Sequence, residues 1–306
     1  REKLKIRHYA YSTIKTYTQW CSRYLAYCSE TGLDPVSDAS YISFISYLAL
    51  KRNVSASTQN QAFNAILFLF RNVWNREPEN IDSVRARRPK RLPVVLSKEE
   101  VNELFQKVAG VQGLILKLLY SSGMRSSEAL KLRIHDLDLK HSSVTVRDGK
   151  GGIDRVTIIS KKLDSDLFHQ IDYVKKLFEG SEVPVSLPGA LARKYPGASL
   201  QWGWQYLFPS DRLKIDPDTG QIKRHHMHRV CLQRAMSDAV GKTGITKHAT
   251  VHTLRHCFAT HLLMSGVDLC EIQELLGHKN LETTRIYLHV MKGFRQSVES
   301  PLDLLL

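Results

Sequence analysis

The chain has no apolar run near the roughly 18 residues that a membrane-crossing helix requires. The longest candidates are residues 65–70 and 114–120, so a helical membrane span is excluded and no membrane partner is expected. Cysteine is scarce. The five residues Cys21, Cys28, Cys231, Cys257 and Cys270 form an odd set without a Cys-x-x-Cys pair, which argues against a disulfide framework or a zinc ribbon and predicts reduced, mostly buried thiols. The first residue is Arg1 rather than Met. The natural start is therefore expected to be missing, no apolar signal-peptide core follows, and the expected location is cytoplasmic. Negative charge is the third shortage, with 30 Asp and Glu against 44 Lys and Arg, a net charge of +14 and a pI near 9.6. Such a balance makes an acidic polymer the default partner. Divided after Arg91, the first part carries 15 basic and 7 acidic residues and the remainder 29 and 23, so both parts would grip a nucleic acid.

What the chain does have is enough length and apolar content to fold. At roughly 150 residues per domain, 306 residues suggest two domains. A hydrophobic share of 42% with 24% charged residues is ordinary globular composition. Ile14, Tyr17, Cys21, Tyr24 and Cys28 recur at helical spacing, as do Phe63, Ile66, Leu67, Phe70, Val73 and Trp74, and a third helix is expected from Tyr41 to Leu50. The aromatic stripes read as core rather than as stacking platforms. This helical domain is assigned to residues 1–84. Residues 85–96 read as a basic linker, in which Arg85, Arg87, Arg88, Lys90 and Arg91 either lie across phosphates or form a solvated run. Ser97 and Glu100 form a capping-box pattern that opens the second domain, residues 97–306. Within it the pattern predicts helices through Leu119, from Ser126 to Leu132 and from Asp164 to Glu179. Strands from Ser143 to Arg147 and from Arg155 to Ile159 form a hairpin around Lys150. Residues 184–209, rich in Pro, Gly and aromatics, interrupt the pattern. Helices then return from about His226 to Val240, His252 to Met264, Leu269 to Leu276 and Glu282 to His289.

Four places combine polar groups with awkward local sequence. Gly123 precedes Arg125 at a helix start, where backbone N–H groups also favour an anion, although pairing of Arg125 with Glu128 would look the same. Lys150 sits between glycines at a hairpin tip. His252 and Arg255 lie on one helical face and can address one oxyanion, with His256 and His261 nearby. The spacing of His252 and His256 suggests a zinc protease, but position 253 is Thr, so the general base of that chemistry is absent. Leu276-Gly277-His278 ends a helix, and Tyr287 follows nine residues later. Two arginines, a lysine and two histidines around a tyrosine match phosphoryl transfer through a covalent phosphotyrosine. In that reaction arginines clamp the non-bridging oxygens, histidines share the charge and a general acid protonates the leaving oxygen. An isolated tyrosine is a poor nucleophile at neutral pH, and the surrounding cations are expected to ease its deprotonation.

These motifs, Gly123-x-Arg125-x-x-Glu128, Lys150 in a Gly-Lys-Gly-Gly hairpin, His252-x-x-Arg255, Leu276-Gly277-His278 and Thr283-Thr284-x-x-Tyr287-x-His289, resemble the signature set of the tyrosine recombinases, the phage-type integrases, over nearly the whole chain. The resemblance implies a mainly α fold with a small β-sheet in the catalytic domain, and two domains that clamp DNA. The first would be a core-binding, SAM-like domain. It also implies Tyr287 as nucleophile, Arg125 and Arg255 as phosphate clamp, His252 and His278 as donors and Lys150 as leaving-group acid. The phosphotyrosine conserves the bond energy, so no cofactor, neither ATP nor metal, is expected, and paired strand exchange implies a homotetramer on DNA.

The stretch from Ala190 to Ala198, then Trp204 to Ser210, Arg224 to Met227 and the tail from Ser300 to Asp303, resemble the features that set integron integrases apart from Xer-type recombinases. That resemblance implies insertion and excision of gene cassettes at folded single-stranded attC hairpins and a duplex attI site. Trp204, Pro209, His225 and His226 would meet protruding bases; the alternative is an insertion with a buried Trp and a surface His pair. Ile153 departs from the pattern, standing where a basic residue is usual. Two rival functions remain, an Xer or phage-type recombinase on duplex sites and a non-catalytic DNA-binding protein.

Overall fold

The computed structural model describes residues 1–86, 92–147, 154–216 and 219–292. Lys150, Arg87, Arg88, Lys90, Arg91, Ile153 and the tail from Ser300 to Asp303 lie outside them. The chain divides into two compact units, residues 1–91 and 92–306.

The first unit holds α1 (Glu2–Ile6), α2 (Tyr11–Thr31), α3 (Asp38–Leu50) and α4 (Ala56–Asn72). Local chemistry sets the ends. The hydroxyls of Ser37 and Ser55 accept from the backbone N–H of Ala39 and Thr58, which starts α3 and α4. Gly32, at φ 67°, closes α2. Tyr24, Tyr41, Phe44, Phe63 and Phe70 are fully buried between these helices, and the Tyr41 hydroxyl donates to the Phe63 carbonyl at 2.6 Å. The aromatic stripes are thus core, as expected from their spacing.

The second unit opens with α5 (Lys98–Gln106), capped by the reciprocal Ser97 and Glu100 pair foreseen in the sequence, followed by α6 (Gly110–Ser122) and α7 (Ser126–Lys131). A three-stranded antiparallel sheet follows in the order β1 (Leu137–Asp138), β2 (Ser143–Val146), β3 (Arg155–Ile158), with Val144 opposite Thr157. Val144 and Val146 face the core and Thr157 is buried, which fixes the register, since a one-residue slip would turn them outward. Next come α8 (Asp164–Glu179), α9 (Gly189–Lys194), a two-stranded hairpin of β4 (Pro209–Ile215) and β5 (Ile222–His226), then α10 (Arg229–Gly241), α11 (Val251–Met264), α12 (Leu269–Leu276) and α13 (Leu281–Lys292). The chain is mainly helical with small sheets, as expected.

Two expectations need correction, and one element is new. The helix expected from about His226 begins at Arg229, because His226 pairs with Pro209 in the hairpin and the His228 side chain caps the helix. The β4–β5 hairpin itself was not foreseen. Of the five free cysteines, Cys28 and Cys257 are buried and Cys21 is half-buried, whereas Cys231 and Cys270 are exposed on helices. Among the described residues no helix is long and apolar enough to cross a membrane.

Candidate functional site

The site assembles where α6 hands over to α7. Gly123 ends α6 at φ 64°, and an added Cβ there would lie 2.3 Å from Phe258 and 2.9 Å from Leu276. Only glycine fits that left-handed, crowded turn. The turn frees the Gly123 carbonyl to accept from Arg255 NH1 at 2.6 Å and sets Arg125 at the N-cap of α7. The pairing of Arg125 with Glu128 weighed in the sequence is present. The Arg125 backbone N–H and guanidinium both bond Glu128, at 2.8 and 2.7 Å, while the residue stays partly open to solvent.

Glu128 is the hub. Its carboxylate also takes Arg155 NH2 at 2.7 Å and lies 4.0 Å from Arg255 NH1. Burial would raise its pKa, but the bonds to Arg155 and Arg125 outweigh this and bring it down to about 2. Three guanidinia share one carboxylate, so positive charge is left over for an anion. Arg155, the first residue of β3, further ties the sheet to α12 by donating Nε to the Leu275 carbonyl at 2.8 Å.

Arg255 is almost fully buried on α11. Besides Gly123, it donates NH2 to the Leu276 carbonyl at 2.7 Å and meets His278 Nε2 at 3.0 Å. Burial and Arg125 pull its pKa to about 9, so it remains charged at neutral pH. His278 follows Gly277 at the end of α12, and its Nδ1 meets the buried Thr284 hydroxyl at 2.9 Å. Burial, then Arg255 and Arg125, push it down to about 3. With Arg255 donating to Nε2, the proton of the neutral ring is on Nδ1. His252 is exposed one turn before His256, the two rings 4.6 Å apart. Partial desolvation and the cations Arg255 and Arg125 lower its pKa as well.

Tyr287 on α13 is 2% exposed and packs with Phe258, Ala259, Ile272 and Leu276. Its hydroxyl meets His256 Nδ1 at 3.1 Å. The expected easing by cations is present but does not decide the outcome. Arg255 and Arg125 do lower the Tyr287 pKa, but burial outweighs them and the net shift is upward, so the phenol is held protonated.

The structure therefore brings Arg125, His252, Arg255, His278 and Tyr287 together. Trp204, Pro209, His225 and His226 form a separate group. Trp204, in a short 3-10 turn, is half-buried, with the ring of His135 edge-on at 4.8 Å, and its carbonyl accepts from Arg133 at 2.6 Å. Pro209 is buried at the start of β4. His225 stacks on Tyr206, whose ring also carries the Arg133 guanidinium at 3.7 Å. Burial, with His226 beside it, brings His225 down to about 4. Sequence reasoning missed Arg155 and the bridging role of Glu128. A strand-edge arginine carries no local signal, and Glu128 was weighed only as a partner of Arg125.

Residues 94–293 match the Phage integrase family and residues 1–80 match its N-terminal SAM-like domain. An integrase/recombinase of Escherichia coli is 40% identical over 311 residues, covering 100% of this chain and 92% of the relative. Tyrosine recombinase XerA of Pyrococcus horikoshii is 32% identical, covering 94% and 87%. The fold is shared with the XerH site-specific recombinase, solved as a post-cleavage complex with a palindromic difH substrate. Its TM-score is 0.64 at 23% identity, covering 95% of this chain and 80% of that one.

Proposed function

The chain belongs to the phage integrase family and is a tyrosine site-specific recombinase, and on that premise we propose that it cleaves and rejoins DNA through a 3′-phosphotyrosine at Tyr287. The observation that carries this reading is the convergence of Arg125, His252, Arg255, His278 and Tyr287 around one surplus of positive charge. Arg125 and Arg255 hold the non-bridging oxygens of the scissile phosphate, and His252 donates to them. His278 joins as a donor when its ring proton is on Nε2, a tautomer in which Thr284 donates to Nδ1 and Arg255 NH2 turns to the phosphate. The Tyr287 oxygen gives up its proton to water as it bonds to phosphorus, the bond to the 5′-oxygen breaks, and Lys150 supplies the leaving oxygen with a proton. The partner strand's 5′-hydroxyl reverses these steps. No metal or ATP enters, and two sites exchanged strand by strand make the working unit a tetramer on DNA. Arg87, Arg88, Lys90 and Arg91 contribute phosphate contacts without base information.

The finer reading is the integron type, acting on attC hairpins and duplex attI. It is supported by the partial exposure of Trp204, His225 and His226. The second reading, an Xer-type enzyme on duplex sites, is favoured by the Xer-named relative. Adduct capture on nicked suicide substrates, one an attC hairpin and one a duplex, separates the two. If Trp204 stacks on a protruding base, Trp204→Ala forfeits roughly 1 to 3 kcal/mol on a hairpin that has such bases. That is about 5- to 150-fold in Kd by gel shift, with a hairpin lacking them nearly unaffected. Equal loss on both hairpins, or a lower melting temperature alone, would assign Trp204 to packing against His135 and remove the integron reading's physical support.

A further inference from the structure

We propose that His256 is the positioning residue of the nucleophile, its Nδ1 accepting the Tyr287 hydroxyl's hydrogen bond and holding the phenolic oxygen beside the phosphate clamp. This rests on the reading of Tyr287 as the attacking group. His256 shares α11 with a member of the clamp and one of the donors, next to Arg255 and one turn after His252. Its ring meets Tyr287 from α13 at a centroid distance of 5.8 Å, and the hydroxyl lies 3.1 Å from Nδ1. A phenol buried among Phe258, Ile272 and Leu276 needs a polar partner, and His256 supplies it.

The direction of the bond follows from charge. Burial, then His252 and Arg255, push the His256 ring down to about 4, while His278 and Tyr287 are its other titratable neighbours. It is therefore neutral at working pH, and a neutral imidazole nitrogen accepts better than a phenol oxygen does. With the proton aimed at His256, the lone pairs of the Tyr287 oxygen point elsewhere and are free to reach phosphorus. A ring held so far below its ordinary pKa is a weak proton acceptor, so the role is geometric.

The test compares His256→Leu, His256→Asn and His256→Gln in single-turnover adduct formation at saturating DNA, with Kd and melting temperature measured alongside. Substrates carry oxygen or sulfur at the 5′-leaving position. Loss of the acceptor in His256→Leu lowers the rate by about tenfold, the scale of one hydrogen bond, without changing Kd. The defect persists with sulfur, because an easy leaving group relieves the acid and not the nucleophile. His256→Asn, whose amide oxygen occupies the Nδ1 position, restores most of the rate. His256→Gln, which reaches the Nε2 position, does not, and the Asn–Gln pair decides the matter if the Leu variant fails to fold. A wild-type rate in His256→Leu, an Asn variant as slow as Leu or Gln, or a defect abolished by sulfur overturns the proposal. An adduct surviving in Tyr287→Phe would instead refute the nucleophile assignment, whatever the His256 variants do.

Discussion

At Tyr287 two residue-level effects compete, and their sizes decide the state of the proposed nucleophile. Cations nearby favour the phenolate, but removal of the hydroxyl from water disfavours it more. The cations were visible as sequence motifs; the burial was not, because it is supplied by α11 and α12 packing on α13. Burial there also holds His278 near 3 and His256 near 4, and burial beside Tyr206 and His226 holds His225 near 4. In the unfolded chain each of these takes a proton near pH 6.5, whereas the folded chain refuses it until pH 4 or 3. Their stabilisation is therefore complete above pH 6.5 and is lost as pH falls toward 3 to 4. The thermal midpoint should fall steadily from pH 7 to pH 5, and a flat midpoint over that range would contradict the buried, neutral assignment.

Elements whose signals are local were legible in the sequence. The bounds of α8 and α12 and the β2–β3 hairpin follow from hydrophobic period, a helix-ending Gly277 and alternation. The β4–β5 hairpin was not legible, since Leu213, Ile215 and Ile222 are exposed and its strands pair mainly with each other. Glu128 became a hub only once β3 and α11 converged on α7. The junction of α6 and α7 carries the heaviest demand of any element boundary in the site. Gly123→Ala would incur a left-handed backbone penalty and a clash with Phe258, together about 2 to 5 kcal/mol. It would also shift the carbonyl that holds Arg255. A drop in the urea midpoint together with slower cleavage is expected, and an unchanged midpoint would mean that Phe258 moves aside freely.

On the scale of the whole molecule, a net charge of +14 spread over both units supplies affinity for DNA but no chemistry. Chemistry distinguishes this chain from a mere DNA binder, and on the proposed reading it rests on a tyrosine served by arginines rather than by a metal. The most direct measurement is to trap the protein on a nicked suicide substrate in excess EDTA and locate the attached nucleotide by mass spectrometry. The account predicts a covalent adduct at Tyr287 that forms in EDTA and is absent from Tyr287→Phe, while that variant binds the same DNA with unchanged affinity. An adduct on another residue, or cleavage that stops in EDTA and returns with magnesium or zinc, would contradict it.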